Sequence, residues 1–352
     1  MFVSKELTFG KRVVGAGHPA FVIAEAGVNH NGNLDLAFQL VDAAISAGAD
    51  AVKFQTFIAA ELLTAEAAKA EYQKASTGEQ ESQLEMIKRL ELSFGDFRKL
   101  KMYCDDQGIT FLSTPFDLKS VDFLQGLGVV AFKIASGDLT NDPLLRHIAA
   151  QKRPVILSTG MSDLDEVREA LAVINAAGND EVILLQCVTN YPAAAEDINL
   201  RAMLSMQSAF DVNVGYSDHT LGIEVPLAAV ALGACVIEKH FTLDKNFAGP
   251  DHRASLEPHE FKAMVEGIRK VEASLGNGQK VPAASETSNA AVARRSIVAA
   301  RDIGAGTMIT PAEIALKRPG TGLPPRMAEQ LLGKTARVDV KAGTLLALEM
   351  FE

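Results

Sequence analysis

The sequence predicts an α/β protein: a (β/α)8 TIM barrel followed by a small C-terminal β-rich domain. Three observations carry that expectation. Eight short β-rich runs alternate with helical stretches between residues 21 and 270. Polar residues gather at the C-terminal end of nearly every run, where such barrels build their sites. Past residue 290 the pattern changes to short strands and glycine turns with little helix.

The runs read FVIAEAG (21–27), AVKFQTF (51–57), TFLSTPF (110–116), AFKIASG (131–137), PVILSTG (154–160), VILLQCV (182–188), VNVGYSDH (212–219) and CVIEKHF (235–241). Between them, segments such as LDLAFQLVDAAISAGA and DLDEVREALAVINAAG place apolar residues at helical spacing and glycines where helices stop. Strict alternation requires parallel strands with crossover helices, and eight strands is the number that closes a barrel. An open doubly wound sheet is the rival; the polar strand tips favour the barrel. A short hairpin, LTFGKRVVGAG, lies within residues 1–20 and could cover the barrel's other mouth. The expected division is a barrel with its hairpin over 1–272, a linker over 273–290 and a second domain over 291–352. The linker stretch loses apolar periodicity and gains Gly, Ser, Asn and Ala.

Composition narrows the function. The chain has 352 residues, 48% hydrophobic and 22% charged, with apolar runs far short of the roughly 18 residues a membrane helix needs. MFVSKELTFGK has no charged segment, apolar block and cleavage site in series, so the cytoplasm is the expected location. Three cysteines without a CxxC, Cys104, Cys187 and Cys235, suit neither a disulfide framework nor a thiolate zinc site; they read as buried small apolar residues. A net charge of −10 opposes nonspecific nucleic-acid binding, so an anionic substrate needs a local cluster of donors. Neither GAG element follows a strand and opens a helix, which argues against a dinucleotide loop.

Strand side chains alternate faces, so Lys53 shares a side with Gln55, Ser217 with His219, and Glu238 with His240. A lone histidine at a strand end is more often structural. Two on neighbouring strand tips can share one cation, with Glu25 and Glu238 near for water or outer hydrogen bonds. Nitrogen and oxygen ligands without thiolate suit Mn2+, Co2+, Zn2+ or Mg2+. A second constellation, Lys53, Lys133, Thr114, Ser136, Ser158 and Ser217, can cradle phosphate and carboxylate, although each hydroxyl alone could be a strand-end cap. Lys133 could instead form a Schiff base, a role the metal pair makes unnecessary.

The phrases IAEAGVNHNG, AGADAVKFQTF, STPFD, FKIASGDL, PVILSTGMS, YPA, VGYSDHTLG, IEKHFT, GPDH and ALKRPGTG, in this order over nearly the whole chain, resemble the sialic acid synthase family. Members condense phosphoenolpyruvate with an N-acetylated hexosamine to nine-carbon nonulosonic acids, and the C-terminal domain is similar to type III antifreeze protein (a SAF domain). The resemblance implies a divalent metal, Mn2+ foremost with Mg2+ or Co2+ as alternatives, held by His219 and His240. It implies that Glu25 serves the water and proton steps. The phosphoenolpyruvate site would fall on Lys53, Thr114, Lys133, Ser136, Ser158, Thr189 and Ser217, and the amino sugar on Gln55, Tyr191 and Asp251. Arg318 would reach into the partner's barrel, making a domain-swapped homodimer. Two departures sit on the sugar side: Gly78 near the place of an asparagine, and Val292 in place of an aromatic residue. They leave N-acetylmannosamine open against a 6-deoxy di-N-acetyl hexose, and the wording EYQ…ESQLEM leans toward sialic or legionaminic synthases over pseudaminic ones. Two other readings are a carbohydrate-binding barrel without catalysis and a keto-deoxy sugar phosphate synthase, which would need a further basic cluster.

Overall fold

The computed structural model describes residues 5–78 and 80–352; residues 1–4, the start of the stretch read for an export signal, and Glu79 lie outside the described residues. The chain divides into two compact units, Met1–Gly276 and Asn277–Glu352. In the first, eight parallel strands form a nearly closed ring: β1 (Phe21–Gly27), β2 (Ala51–Thr56), β3 (Thr110–Pro115), β4 (Phe132–Ile134), β5 (Val155–Ser158), β6 (Val182–Cys187), β7 (Asn213–Asp218) and β8 (Val236–His240). They pair in the order β3-β2-β1-β8-β7-β6-β5-β4. The two ends, β3 and β4, lie against each other without backbone pairing among the described residues.

Most strands stop short of the runs read from the sequence, and two of these ends have a clear local cause. The run AFKIASG yields only three strand residues, because the chain turns into a 3-10 helix at Ser136–Asp138. His219 lies one residue beyond β7: Asp218 accepts the Thr220 backbone N–H at 2.9 Å, an Asx-type turn that ends the strand.

The inward side chains run in layers. On successive strands the lower layer is apolar, with Ile23, Ala51, Leu112, Ala131, Ile156, Leu185 and Val236 buried in one cluster. Two residues further along the same strands stand Glu25, Lys53, Thr114, Lys133, Ser158, Cys187 and Glu238. Beneath the lower layer sits the antiparallel hairpin Leu7–Phe9 with Arg12–Val14, whose Leu7, Phe9 and Val14 join the same cluster. Phe9 meets Phe21 edge-on with ring centroids 5.2 Å apart. The hairpin therefore plugs the N-terminal mouth, as expected from LTFGKRVVGAG.

The crossover helices bury their apolar faces on the outside of the ring in a separate, larger cluster. Their starts are set by side-chain caps: Asn33 accepts from the Asp35 and Leu36 N–H groups, and Asp163 with Glu166 makes a capping box. After β2 the chain makes an excursion before its crossover helix Phe94–Gln107, through helices Ala59–Leu62, Glu71–Thr77 and Gln83–Leu90. Buried Lys69 ties it together, donating to Thr77 Oγ1 and the Gly78 carbonyl, each at 3.0 Å, with Glu81 3.4 Å away.

The second unit pairs Ser296–Ala299 antiparallel with Ile314–Lys317 over a small core that includes Ile297, Ile309, Leu331, Val340 and Phe351. A helix at Thr287–Ala293 occupies the end of the stretch that the composition suggested as linker. Among the described residues no helix is long and apolar enough to cross a membrane.

Candidate active site

The upper layer is a buried network of charges. Lys53 Nζ lies 2.7 Å from Glu25 Oε2, donates to Thr114 Oγ1 at 3.0 Å, and stands 3.7 Å from Glu238. Lys133 donates to Ser158 Oγ at 2.7 Å and stands 3.5 Å from Glu238, which also accepts from the Ser217 hydroxyl at 3.1 Å. Gln55 donates its amide to Glu25 Oε1 at 3.1 Å. Gly27 permits this last contact. A Cβ there would lie 3.1 Å from Glu25 Oε1 and 3.3 Å from the Gln55 amide, and its φ of +54° marks the bulge where the β1–β2 register shifts.

Burial and charge divide the ionisable groups. Burial, more than Glu238, pushes Glu25 up to about 7 against the pull of Lys53. Burial also raises Glu238, but Lys133 and Lys53 outweigh it and hold that carboxyl below the ordinary value. Burial lowers both lysines. Lys53, facing both carboxylates, ends above the ordinary value, whereas Lys133 ends below it. Within this network Glu25 can exchange a proton near neutral pH while Glu238 stays charged.

Above this network the two imidazoles face each other, ring centroids 5.3 Å apart and planes at 50°. His219 Nδ1 lies 2.7 Å from the Val188 carbonyl, which can only accept, so Nδ1 carries a proton; burial lowers this ring, but the Cys187 thiol and the Val188 bond outweigh it and leave it above the ordinary imidazole value. His240 Nδ1 is buried with no hydrogen-bond partner, and burial holds its ring well below the ordinary imidazole value. Two facing imidazoles on the wall of a polar cavity fit a divalent cation completed by water or substrate. Among the described residues no set of three or more His, Cys, Asp or Glu side chains converges on such an ion.

One cavity of about 250 Å³ joins these groups to the rest of the expected site. Ser136 accepts the Gly160 N–H at 2.9 Å, and Thr189 Oγ1 is buried without a hydrogen-bond partner. A Cβ at Gly160 would stand 2.3 Å from Thr189 Oγ1, so a glycine lets both hydroxyls reach the cavity. Tyr191 lies against His219 with centroids 4.0 Å apart and meets His240 edge-on. Asp251 lines the cavity, and burial raises its carboxyl to about 6. Arg318 belongs to the C-terminal unit, where it is exposed and donates Nε to the Ala293 carbonyl at 3.0 Å; Val292 is exposed on the helix before it. Gly78 is the C-cap of Glu71–Thr77, whereas Gln73 of that helix lines the cavity.

Sequence reasoning missed several features. Cys187, read as an inert apolar residue, sits on the cavity wall with Sγ 3.8 Å from His219 Nδ1. Glu238, read as a peripheral helper, links both lysines. On the opposite face of β7 and β8, the fully buried Lys239 pairs with Asp218, which also accepts from the Tyr216 hydroxyl and the Thr220 hydroxyl. Lys239 additionally donates to the Thr220 carbonyl at 2.7 Å, fixing the two strand tips beside His219 and His240. The phrase VNHNG lies mostly behind the cavity: Asn29 bridges the Phe241 carbonyl and Ser255, and His30 is buried and accepts the Gly32 N–H.

Comparison with known proteins agrees with this architecture. The NeuB family model matches residues 40–280 and the SAF domain model residues 294–352. The chain is 49% identical over 342 residues to the N,N'-diacetyllegionaminic acid synthase of Legionella pneumophila, covering 96% of each. It is 49% identical to the Campylobacter jejuni enzyme of the same name, covering 92% of this chain and 98% of that one. A crystal structure of the sialic acid synthetase of Leptospira borgpetersenii in complex with citrate superposes with a TM-score of 0.72 at 36% identity, covering 82% of this chain and 96% of that one. A truncated 3-deoxy-D-arabino-heptulosonate 7-phosphate synthase from Thermotoga maritima, at 16% identity and a TM-score of 0.61, shares the fold alone. The chain therefore belongs to the NeuB family of nonulosonic acid synthases, with a SAF domain over residues 294–352.

Proposed function

We propose that this chain condenses phosphoenolpyruvate with an N-acylated hexosamine and water, giving a nine-carbon 2-keto acid and phosphate. The observation that carries the reading is a two-lysine, hydroxyl-lined seat directly beneath two facing imidazoles. Lys53 and Lys133, with the hydroxyls of Thr114, Ser136, Ser158, Thr189 and Ser217, hold the phosphate and carboxylate oxygens of phosphoenolpyruvate. Gln55, Tyr191 and Asp251 orient the sugar above that seat. His219 and His240 would hold the divalent cation, Mn2+ foremost, which when bound would polarise the aldehyde oxygen of the open-chain sugar.

In the overall change a bond forms between C3 of phosphoenolpyruvate and the aldehyde carbon. The oxygen takes a proton, water adds at C2, and the C2–O bond to phosphate breaks. Glu25 is placed to accept the proton that water gives up, and its value near 7 suits exchange at neutral pH. The cavity wall's lysines and arginines, among the described residues, are Lys53 and Lys133. That supply favours one phosphorylated substrate over the two of a keto-deoxy sugar phosphate synthase.

Phosphate release tests the reading. Protein supplied with phosphoenolpyruvate, Mn2+ and an N-acyl hexosamine should release phosphate, stop on chelation and recover when Mn2+ returns. Absence of release with every N-acyl hexosamine would favour a carbohydrate-binding barrel instead. The same proposal makes the assembly a cytoplasmic swapped homodimer with Arg318 acting on the partner's site. Mixing Arg318→Ala chains with His240→Ala chains should then restore about a quarter of the activity by statistical pairing, and no restoration would argue for a site within one chain.

A further inference from the structure

We infer that the anion taken up by the lysine seat closes the barrel, tying β3 to β4 where the backbone ring is open. The inference rests on the reading of Lys53 and Lys133 as an anion seat and concerns what the anion does to the fold. Its first support is the backbone. Strand N–H groups point to the two neighbouring strands in turn, so one bonded N–H fixes the direction of the rest. In β3 the Thr110 N–H reaches the Asp50 carbonyl at 3.4 Å, and the Phe116 N–H, one residue past the strand, reaches the Thr56 carbonyl at 3.1 Å. Those bonds run toward β2 and leave Phe111 and Ser113 facing β4. In β4 the Phe132 N–H donates to the Pro154 carbonyl beside β5 at 2.9 Å, so Lys133 faces β3. Among the described residues no backbone hydrogen bond joins the two lips, although Phe111, Ser113 and Lys133 are buried. Buried donors without partners cost free energy, so both lips gain from any contact that draws them together.

The second support is that the polar layer breaks at the same place. From Thr114 on β3 the contacts pass to Lys53, from Lys53 to Glu25 and Glu238, from Glu238 to Lys133, and from Lys133 to Ser158. That path reaches β4 by way of β8, and among the described residues no hydrogen bond or ion pair steps directly from Thr114 to Lys133. The seat is divided by the same gap. Lys53 and Thr114 stand on one side, Lys133, Ser136 and Ser158 on the other, and all five line one cavity. A phosphate or carboxylate group offers several acceptor oxygens, and a lysine's hydrogen bonds to such an anion are about twice as strong as neutral ones. An anion shared by both lysines also offsets the repulsion between two like charges in a buried site. Both effects act across the gap, and neither is present until the anion arrives.

Hydrogen exchange read residue by residue tests this, on full-length protein without metal or sugar and with inorganic phosphate as the probe. In the free protein Phe111, Ser113 and Lys133 should exchange about tenfold faster than Leu112 and Thr114, whose N–H groups face β2. Saturating phosphate should slow the first three by about tenfold, and should leave the amides of β6 and β7, whose Cys187 and Ser217 line the same cavity, within about twofold. A Thr114→Val chain that still binds phosphate should lose the slowing at Phe111 and Ser113, and Thr114→Ser should keep it. Lys133→Met should lose the slowing on both lips. Exchange at the gap as slow in the free protein as at Leu112 and Thr114 overturns the inference, and so does slowing confined to β4 or spread equally over β6 and β7. Should a variant fail to fold, the pattern in the unaltered protein decides. Calorimetry that finds no binding of phosphate or phosphoenolpyruvate overturns the anion seat itself, and the inference falls with it.

Discussion

The two mouths of the barrel are made by the same strands and differ by a single step of two residues along each. At the N-terminal mouth Ile23, Leu112, Ile156 and Val236 close over Phe9 and Leu7 of the hairpin, and every inward group is satisfied by contact alone. At the C-terminal mouth Glu25, Thr114, Ser158 and Glu238 occupy the next positions, and His240 Nδ1 and Thr189 Oγ1 are left without hydrogen bonds. One end maximises apolar burial. The other places four charges in a site where each must be balanced by a neighbour. Stability and chemistry are thus separated along the barrel axis, so substitutions at the two ends should have opposite signatures.

The sharpest way to break that comparison is Glu25→Gln. The amide is close to isosteric with a carboxyl that already holds a proton half the time near pH 7, so melting should barely move. Turnover should fall roughly a thousandfold through loss of proton transfer. A large loss of stability would show that the upper layer is structural after all. At the lower mouth Phe9→Ala should behave the other way, costing about 3–5 kcal/mol in denaturant unfolding with kcat/KM of the folded fraction unchanged.

Asp218→Leu probes the seam between the two roles. Stripping Lys239 of its partner inside the helix-facing layer should cost about 3 kcal/mol, and the double change Asp218→Leu with Lys239→Met should recover most of it. If the double variant folds well but binds Mn2+ poorly, the ion pair positions the strand tips; unaltered Mn2+ binding would make it a packing feature only.

Acid gives a smaller, graded contrast. Burial holds His30 and His252 down to about 4, against about 6.5 in an unfolded chain. Below pH 6.5 the unfolded state takes protons that the folded state refuses, so this contribution is complete above that pH and declines as pH falls toward 4. His30 lies in the turn after β1 and His252 opens the 3-10 helix His252–Ala254 after β8. Hydrogen exchange, corrected for intrinsic rates, should show residues 28–33 and 249–256 losing protection at pH 5 relative to pH 7, with the hairpin unaffected. Equal loss at both ends would refute a mouth-specific effect.

Much of this division could be read from the chain. Alternation with a period of two places Lys53 with Gln55 and Glu238 with His240, and the count of eight β-rich runs fixes the ring that brings His219 beside His240. What stayed hidden has a common physical cause. Periodicity tells which face a residue occupies but not what it meets there, so Lys239 and Asp218 gave no sign of a buried pair on the helix-facing side. Likewise Leu62, Gln73 and Ile87 reach the cavity only because the excursion packs back onto Val28, Phe57 and Phe116, and no spacing rule encodes that return. Cys187 misled for a related reason: a buried cysteine is usually packing, and only the position of His219 reveals that this one lies on the cavity wall.

The central claim is that two imidazoles on adjoining strand tips share one divalent ion above the lysine seat. Calorimetric titration of Mn2+ into metal-stripped protein tests it without reference to turnover. One site per chain is expected in the unaltered protein, and its loss in both His219→Ala and His240→Ala, each still folded by circular dichroism. Undiminished Mn2+ binding in either variant would contradict the account.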